Sequence, residues 1–377
     1  MTTVRHLYFH IPFCPKLCPY CSFYVEIGAK NKNREFLDAL LCEVDRAAEK
    51  YALRPETIYF GGGTPTSLLT EQLDYLLRGL RERLDLTALR EWTVEANPAT
   101  VRTEKARLLR DMGVTRVSLG VQSWDDSLLK VLGRAHSAAQ AEKTYEVLRE
   151  SGIGAVNVDL MFAVPGQRPS QWRATLEKTL ALKPDHISSY CLTYEEDTAY
   201  FQKLTGGDFR QDDERDAQLF EETMDTLTAG GFAQYEISNY ARSNRESQTG
   251  CESLHNRAYW LGADYLGFGP GAFSTVGFSR WENVRDTAGY TRGILGGEKV
   301  SGFREPLDAA TRAGEIAAFR IRMAEGIPEP ELARWSDAIA EFEKNGLVER
   351  RVGVVRLTRR GKMLADTVAE AFIELPA

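Results

Sequence analysis

Cys14, Cys18 and Cys21 fall within eight consecutive positions of the 377-residue chain, in the run His10-Ile-Pro-Phe-Cys14-Pro-Lys-Leu-Cys18-Pro-Tyr-Cys21. Three thiolates spaced Cys-x3-Cys-x2-Cys on one loop can hold three irons of a [4Fe–4S] cubane, leaving the fourth iron open to a substrate. Pro15 and Pro19 stiffen the loop and reduce the entropy lost when it wraps a metal. Two other uses of the thiols stay open. Tetrahedral zinc wants a fourth Cys or His at finger or ribbon spacing, whereas His10 reads as part of a strand. Three unconnected thiols need no metal at all.

Other polar residues interrupt apolar runs. Gly61-Gly62-Gly63-Thr64-Pro65 makes a turn where backbone can approach a ligand closely, with the Thr64 hydroxyl beside it, although any tight turn also favours glycine. Trp92-Thr-Val-Glu95 and Val156-Asn-Val-Asp159 each set a carboxylate among apolar residues, where burial without a partner is costly. Each acid therefore faces a cavity or ligand, or pairs with a neighbouring Arg. Of the remaining cysteines, Cys42 on an amphipathic helix and Cys191 in a strand read as core residues, and Cys251 as a loop thiol.

These residues need elements to position them. Strands over 5–11, 57–60, 92–95, 116–121, 155–161 and 186–192 alternate with helical patterns over 34–50, 71–83, 104–112, 138–150 and 171–182. Strands separated by helices build a parallel sheet from βα units. Six units fit an incomplete (β/α)6 barrel better than a closed eightfold one. A doubly wound sheet is the alternative, because strand order is not a local property. In a barrel the polar residues above sit at the C-terminal ends of strands, the face where ligands bind. Farther on, 212–229 reads as one long helix, 235–240 as a strand, 243–253 as a polar loop and 264–273 as a Gly-rich strand. The tail from 308 predicts a helix over 337–345 stopped by Gly346, two strands within 348–356 turning at Gly353, and a single final helix over 358–373. The expected organisation is an α/β barrel with accessory strands and loops in 1–300 and a small winged-helix-like C-terminal module in 301–377.

Composition narrows the function classes. A net charge of −7 argues against a nucleic-acid-binding surface. The basic residues Arg350, Arg351, Arg359, Arg360 and Lys362 read as a solvated face. No stretch approaches the roughly 20 apolar residues that span a bilayer, and Met1-Thr-Thr-Val-Arg5 lacks the pattern of a signal peptide. Six cysteines are too few for a disulfide scaffold of this length, so a reducing, cytoplasmic setting is expected.

The cysteine loop after a first strand resembles the signature of the radical S-adenosylmethionine (SAM) superfamily. The longer string Tyr8-Phe-His-Ile-Pro-Phe-Cys14 resembles the branch that contains oxygen-independent coproporphyrinogen III dehydrogenase and the HemW-type heme chaperones. The resemblance covers nearly the whole chain. It implies that Cys14, Cys18 and Cys21 hold the cluster and that its open iron takes SAM. It further implies that Gly62, Gly63 and Thr64 meet the methionine amino end, and that Glu95, Gln122, Arg134 and Asp159 are SAM-binding positions. Gln122 suits a ribose hydroxyl and Arg134 a carboxylate, while Tyr8 and Tyr20 line the adenine and the cluster. An electron donor such as flavodoxin or ferredoxin and reductive cleavage of SAM belong to the same implication. A scaffold protein with a merely structural cluster would not need Glu95 and Asp159.

Two departures separate the relatives. Phe23 stands where the dehydrogenase motif continues to a fourth cysteine, and the first strand motif begins within eight residues of Met1, without that enzyme's longer extension. Both point to the heme chaperones, with coproporphyrinogen III dehydrogenase as the alternative. The implied cargo is heme, the implied partner a heme-acceptor protein such as a membrane respiratory enzyme, and cluster-dependent homodimerisation is in keeping with the group. His255-Asn256-Arg-Ala-Tyr259-Trp260 resembles the group's His-Asn-x-x-Tyr-Trp string and marks a candidate heme region at His255, Tyr259 and Trp260. Imidazole ligates heme iron and aromatic rings pack on a porphyrin. The plainer reading is a helix start whose rings are core and whose His bonds to backbone. The run 245–253 departs from the shorter approach expected before the His-Asn pair.

Overall fold

The computed structural model describes residues 1–28, 33–242 and 251–373. Six strands run parallel in chain order: Thr2–Ile11, Tyr51–Gly62, Glu91–Ala96, Arg116–Gln122, Ala155–Phe162 and His186–Cys191. Helices connect them, beginning with Asn33–Ala48, Thr70–Arg83 and Thr103–Asp111. Registers such as Tyr8↔Tyr59, Phe60↔Val94, Val94↔Val117 and Val158↔Ile187 hold each strand beside its successor. This unbroken order rules out a doubly wound sheet, in which the order reverses.

The sheet remains open. Past the sixth strand it continues antiparallel through Asn239–Arg242 and Phe232–Gln234. On the other side of the first strand it gains Tyr265–Phe268, again parallel, and then antiparallel Phe273–Val276, Ser279–Asn283 and Ser301–Pro306. No pairing joins the two ends of this twelve-stranded sheet among the described residues. The incomplete barrel expected from the sequence is therefore present, extended by a seventh parallel strand. The expected single strand over 264–273 is two strands, because Gly269 and Gly271 adopt φ of +98° and +70° and turn the chain back. The expected strand over 235–240 is mostly the bend between two short strands. Of the polar loop 243–253 and the irregular run 245–253, residues 243–250 lie outside the described residues.

Alternation along each strand sorts its side chains into two faces. Leu7, Phe9, Phe60, Trp92, Val117 and Val158 are fully buried within the main hydrophobic core, each worth roughly 1.5–3 kcal/mol. A parallel sheet covered on both faces by helices is apolar throughout. Here the opposite face carries Tyr8, Tyr59, Glu95, Ser118, Asp159 and Tyr190, so it encloses a polar ligand space instead. Cys191, expected in the core, is exposed where the sixth strand ends at the mouth of this space.

The tail has its own core of Ile321, Ile327, Trp335, Ile339, Val355, Val368 and Phe372 around a three-stranded sheet. Helix Ser336–Lys344 stops before Gly346, and strands Val348–Arg351 and Val354–Leu357 turn through Val352 and Gly353, both left-handed. The expected final helix over 358–373 is two helices, Arg359–Met363 and Ala365–Ile373, broken at Leu364. Gly361 explains the break: a Cβ there would come within 1.8 Å of the Leu347 carbonyl oxygen, so the first piece is pinned to the hairpin. The second piece turns Val368 and Phe372 into the core. Strand Ser301–Pro306 pairs with Ser279–Asn283 of the large sheet, so a boundary at 300/301 would sever a strand from its partner. No helix among the described residues is long and apolar enough to cross a membrane.

Candidate functional site

The first strand ends at the mouth of the polar face and the chain passes directly into the cysteine loop. A parallel bridge between Phe13–Cys14 and Glu26–Ile27 closes the loop's base, helped by the Glu26 amide donating to the Pro12 carbonyl at 2.8 Å. All three thiols are free and half-buried. Cys14 Sγ lies 3.5 Å from Thr64 Oγ1, and Arg134 Nη1 reaches Cys18 Sγ at 3.7 Å. Burial pushes the Cys14 and Cys21 thiols up, with Thr64 and Arg134 opposing it at Cys14. No three His, Cys, Asp or Glu side chains among the described residues close around a single ion. Three thiols distributed along a short loop suit a cubane cluster.

The turn after the second strand is built against this loop. The Gly63 amide donates to Ile11 and the Thr64 amide to Phe13, at 2.9 and 2.8 Å. A Cβ on Gly63 would lie 2.7 Å from the Pro12 carbonyl, and Gly62 combines φ of +101° with the His10 ring 2.6 Å from where its Cβ would be. Only glycine fits either place. His10, which the sequence marked only as a strand residue, proves to be a fixture of the site. Its Nε2–H donates to the Tyr24 carbonyl at 2.8 Å, so its Nδ1 accepts from the Tyr8 hydroxyl at 3.1 Å.

Both acids suspected from the sequence face the ligand space. Glu95 accepts from the Tyr59 hydroxyl at 2.8 Å, and burial raises its pKa to about 8. Asp159 accepts from Ser118 at 3.1 Å and from Asn157 at 2.6 Å, and burial raises it as well. Neither forms an ion pair among the described residues, and each is held by neutral hydrogen-bond donors. Arg134 donates to the Gly120 carbonyl at 2.7 Å while its Nε is buried without a partner, a free donor suited to an anion. Gln122 sits at the end of the fourth strand with φ of +68°, strained for a side-chain-bearing residue. Its amide nitrogen and Arg134 Nη2 both lie over Gly120, 3.2 and 3.3 Å from a Cβ there. Tyr8 stacks on Tyr59 with centroids 6.1 Å apart. Tyr20 instead backs the loop, packed beside Leu128, Leu132, Val164 and Tyr200.

The His255 string disperses into three surroundings. His255 is buried in the floor of the polar face, its Nδ1 2.7 Å from Thr57 Oγ1 and its ring stacked on Tyr59 at 5.0 Å. Its Nε2 has no partner, and burial lowers its pKa to about 3, so it is neutral. Tyr259 lines a cleft of about 230 Å³ with Tyr8, His10, Phe23, Tyr24, Phe273 and Arg285, beside the cysteine loop. Trp260 turns to the tail, 6.2 Å from Phe319 and under Arg322. The helix carrying all three, Leu254–Trp260, starts on the buried Glu91 carboxylate, which accepts from the Leu254 and His255 amides at 3.0 Å each and pairs with Arg116 at 3.0 Å.

Residues 8–179 match the radical SAM superfamily. Beyond that segment, the chain is 33% identical to the heme chaperone HemW of Bacillus subtilis over 98% of its length and 99% of the relative's. HemW of Escherichia coli is 32% identical, with 97% of each chain covered. The chain belongs to the HemW family. Coproporphyrinogen III oxidase (HemN) from Escherichia coli, a radical SAM enzyme of solved structure, superimposes with a TM-score of 0.85 over 98% of this chain and 90% of that one, at 23% identity. That likeness confirms the fold of this HemW-family chain. Membership of the superfamily implies a [4Fe–4S] cluster and SAM, and the cysteine loop, the buried acids and the free Arg134 nitrogen fit both groups.

Proposed function

We propose that this chain is a cytoplasmic heme chaperone that binds heme beside a SAM-liganded cluster and delivers it to an acceptor protein. The supporting observation is the cleft at the cysteine loop. Phe23, in the place where the dehydrogenase motif carries a fourth cysteine, is 69% exposed and shares the cleft with Tyr8, Tyr24, Tyr259 and Phe273, with Arg285 beside them. Apolar rings and a cation match a flat macrocycle bearing propionates.

In this reading Cys14, Cys18 and Cys21 hold the cluster. Gly62, Gly63 and Thr64 receive the amino end of SAM, Arg134 its carboxylate, Gln122 a ribose hydroxyl, and Glu95 and Asp159 balance its positive charge. Tyr8, fixed by His10, walls the SAM site from the cleft, and Tyr20 braces the loop. When bound and reduced, the cluster supplies an electron for reductive cleavage of SAM, drawn from a flavodoxin- or ferredoxin-type donor. His255 does not reach the cleft; it sets Tyr59 and Tyr259. The C-terminal unit, which we place after Pro306, offers a surface for the acceptor or for a second copy of the chain.

The test is anaerobic reconstitution with iron and sulfide followed by heme titration. Stoichiometric binding that Tyr259→Ala or Phe23→Ala weakens, without oxidation of coproporphyrinogen III, is the expected result. Coproporphyrinogen turnover without heme binding would make the chain a dehydrogenase instead.

A further inference from the structure

Lys105 breaks the pattern of its own helix, Thr103–Asp111. Its side chain turns inward and is only 9% exposed. The ammonium donates to three backbone carbonyls, those of Thr66 at 2.6 Å, Leu68 at 2.7 Å and Thr100 at 3.1 Å. Thr66 and Leu68 belong to the turn that directly follows Gly62, Gly63 and Thr64, and Thr100 ends the turn that follows Glu95 and Asn97. Hydroxyls stitch the same two turns together. Thr66 Oγ1 is 2.7 Å from Thr100 Oγ1, which donates to the Asn97 carbonyl at 2.7 Å. Lys105 forms no ion pair among the described residues, so the direct partners of its buried charge are these carbonyls.

We propose that Lys105 is a positioning residue for SAM, clamping the turns after the second and third strands at the separation where the glycine turn faces Glu95. The proposal rests on the assignment of SAM to those residues. A point charge with three protons suits the task, because three carbonyls from two segments converge on one atom. Burial lowers the pKa of Lys105 to about 8, against Glu71 of helix Thr70–Arg83 and Glu104 of its own helix, the charged groups that act on it. A neutral amine has two protons for three acceptors. The clamp therefore loosens as pH rises through that value, while an arginine there stays charged.

Equilibrium dialysis of SAM against the anaerobically reconstituted full chain tests this, across one pH unit on either side of that value. Lys105→Met is expected to weaken SAM binding by about tenfold or more with unchanged iron content. Lys105→Arg, whatever its absolute affinity, should lack the alkaline decline that the native chain shows relative to its own acid-side affinity. Native affinity in Lys105→Met, or superimposable pH curves for Lys105→Arg and the native chain, overturns the clamp. Should Lys105→Met fail to hold iron, the comparison of pH curves decides alone. Glu95→Gln separates the two layers of the argument. If it binds SAM natively, the site assignment itself falls and the clamp with it; if it binds weakly while Lys105→Met is native, only the clamp falls.

Discussion

Glu95 carries a linkage that can be measured without any cofactor. Its pKa stands near 8 in the folded chain against an ordinary 4.5, because burial penalises the carboxylate. The protonated form is the one the fold accommodates. Its stabilising contribution is fully present below pH 4.5 and is lost as pH rises toward 8. Glu95→Gln, neutral throughout, is therefore expected to exceed the native apo chain in stability by several kcal/mol at the alkaline end, and to match it at the acid end. Urea midpoints across that range check the sign; a variant less stable at alkaline pH refutes it. The sequence disclosed Glu95 and Asp159 because an acid within an apolar run contradicts burial unless something compensates it. Lys105 gave no such signal, since a lysine on an amphipathic helix reads as solvated. His10 was hidden in the same way, by a strand in which polar and apolar residues alternate.

At the scale of elements, the helix Leu254–Trp260 shows how a motif can be legible while its placement is not. The His-Asn-x-x-Tyr-Trp string stood out, but its three rings point into the barrel floor, the cleft and the tail. What fixes it is Glu91, 163 positions before Leu254, and no local pattern connects the two. Glu91 binds Arg116, with both side chains almost wholly buried. Arg116 in turn donates to the Cys251 and Glu252 carbonyls at 2.7 and 2.9 Å. Glu91→Gln leaves a buried guanidinium without its counter-charge and should destabilise the chain by about 3 kcal/mol, freeing the helix start and with it Tyr259. A denaturation midpoint shift far smaller than this would show that the floor is more solvated than the geometry indicates. The C-terminal hairpin was more readable: a glycine between two short strand-length runs marked the turn. The split of the last helix was not, because the Leu347 carbonyl that crowds Gly361 belongs to another element.

For the whole molecule, two hydrophobic cores meet through a mixed seam, in which Ile237 packs against both cores and Met323 against Tyr235 and Ala241, beside polar pairs. Arg359 pairs with Asp225 at 2.6 Å, and Lys362 donates to Gln234 at 2.8 Å. With a boundary after Pro306, hydrogen exchange is expected to show the core around Trp335 and Phe372 opening separately from the strands around Phe9 and Trp92. One shared opening energy for both would make the chain a single cooperative unit. The βα alternation implied six parallel strands but not their order, which only the pairings reveal. The seventh was out of reach, since pairing of Tyr265 with His6 is long-range and a short Gly-rich run carries no partner information.

That seventh strand also sets a schedule. The first strand and its cysteines are translated well before Tyr265–Phe268, which supplies the strand's second edge. Gly269, whose Cβ position lies 2.5 Å from the His10 carbonyl, arrives with it and tightens the floor beneath the loop. Until then the residues that cradle the cysteines have one wall missing. The floor beneath the cysteine loop is therefore complete only after Gly269 has been translated, whereas the rim carrying Leu17 and Phe23 is exposed to solvent.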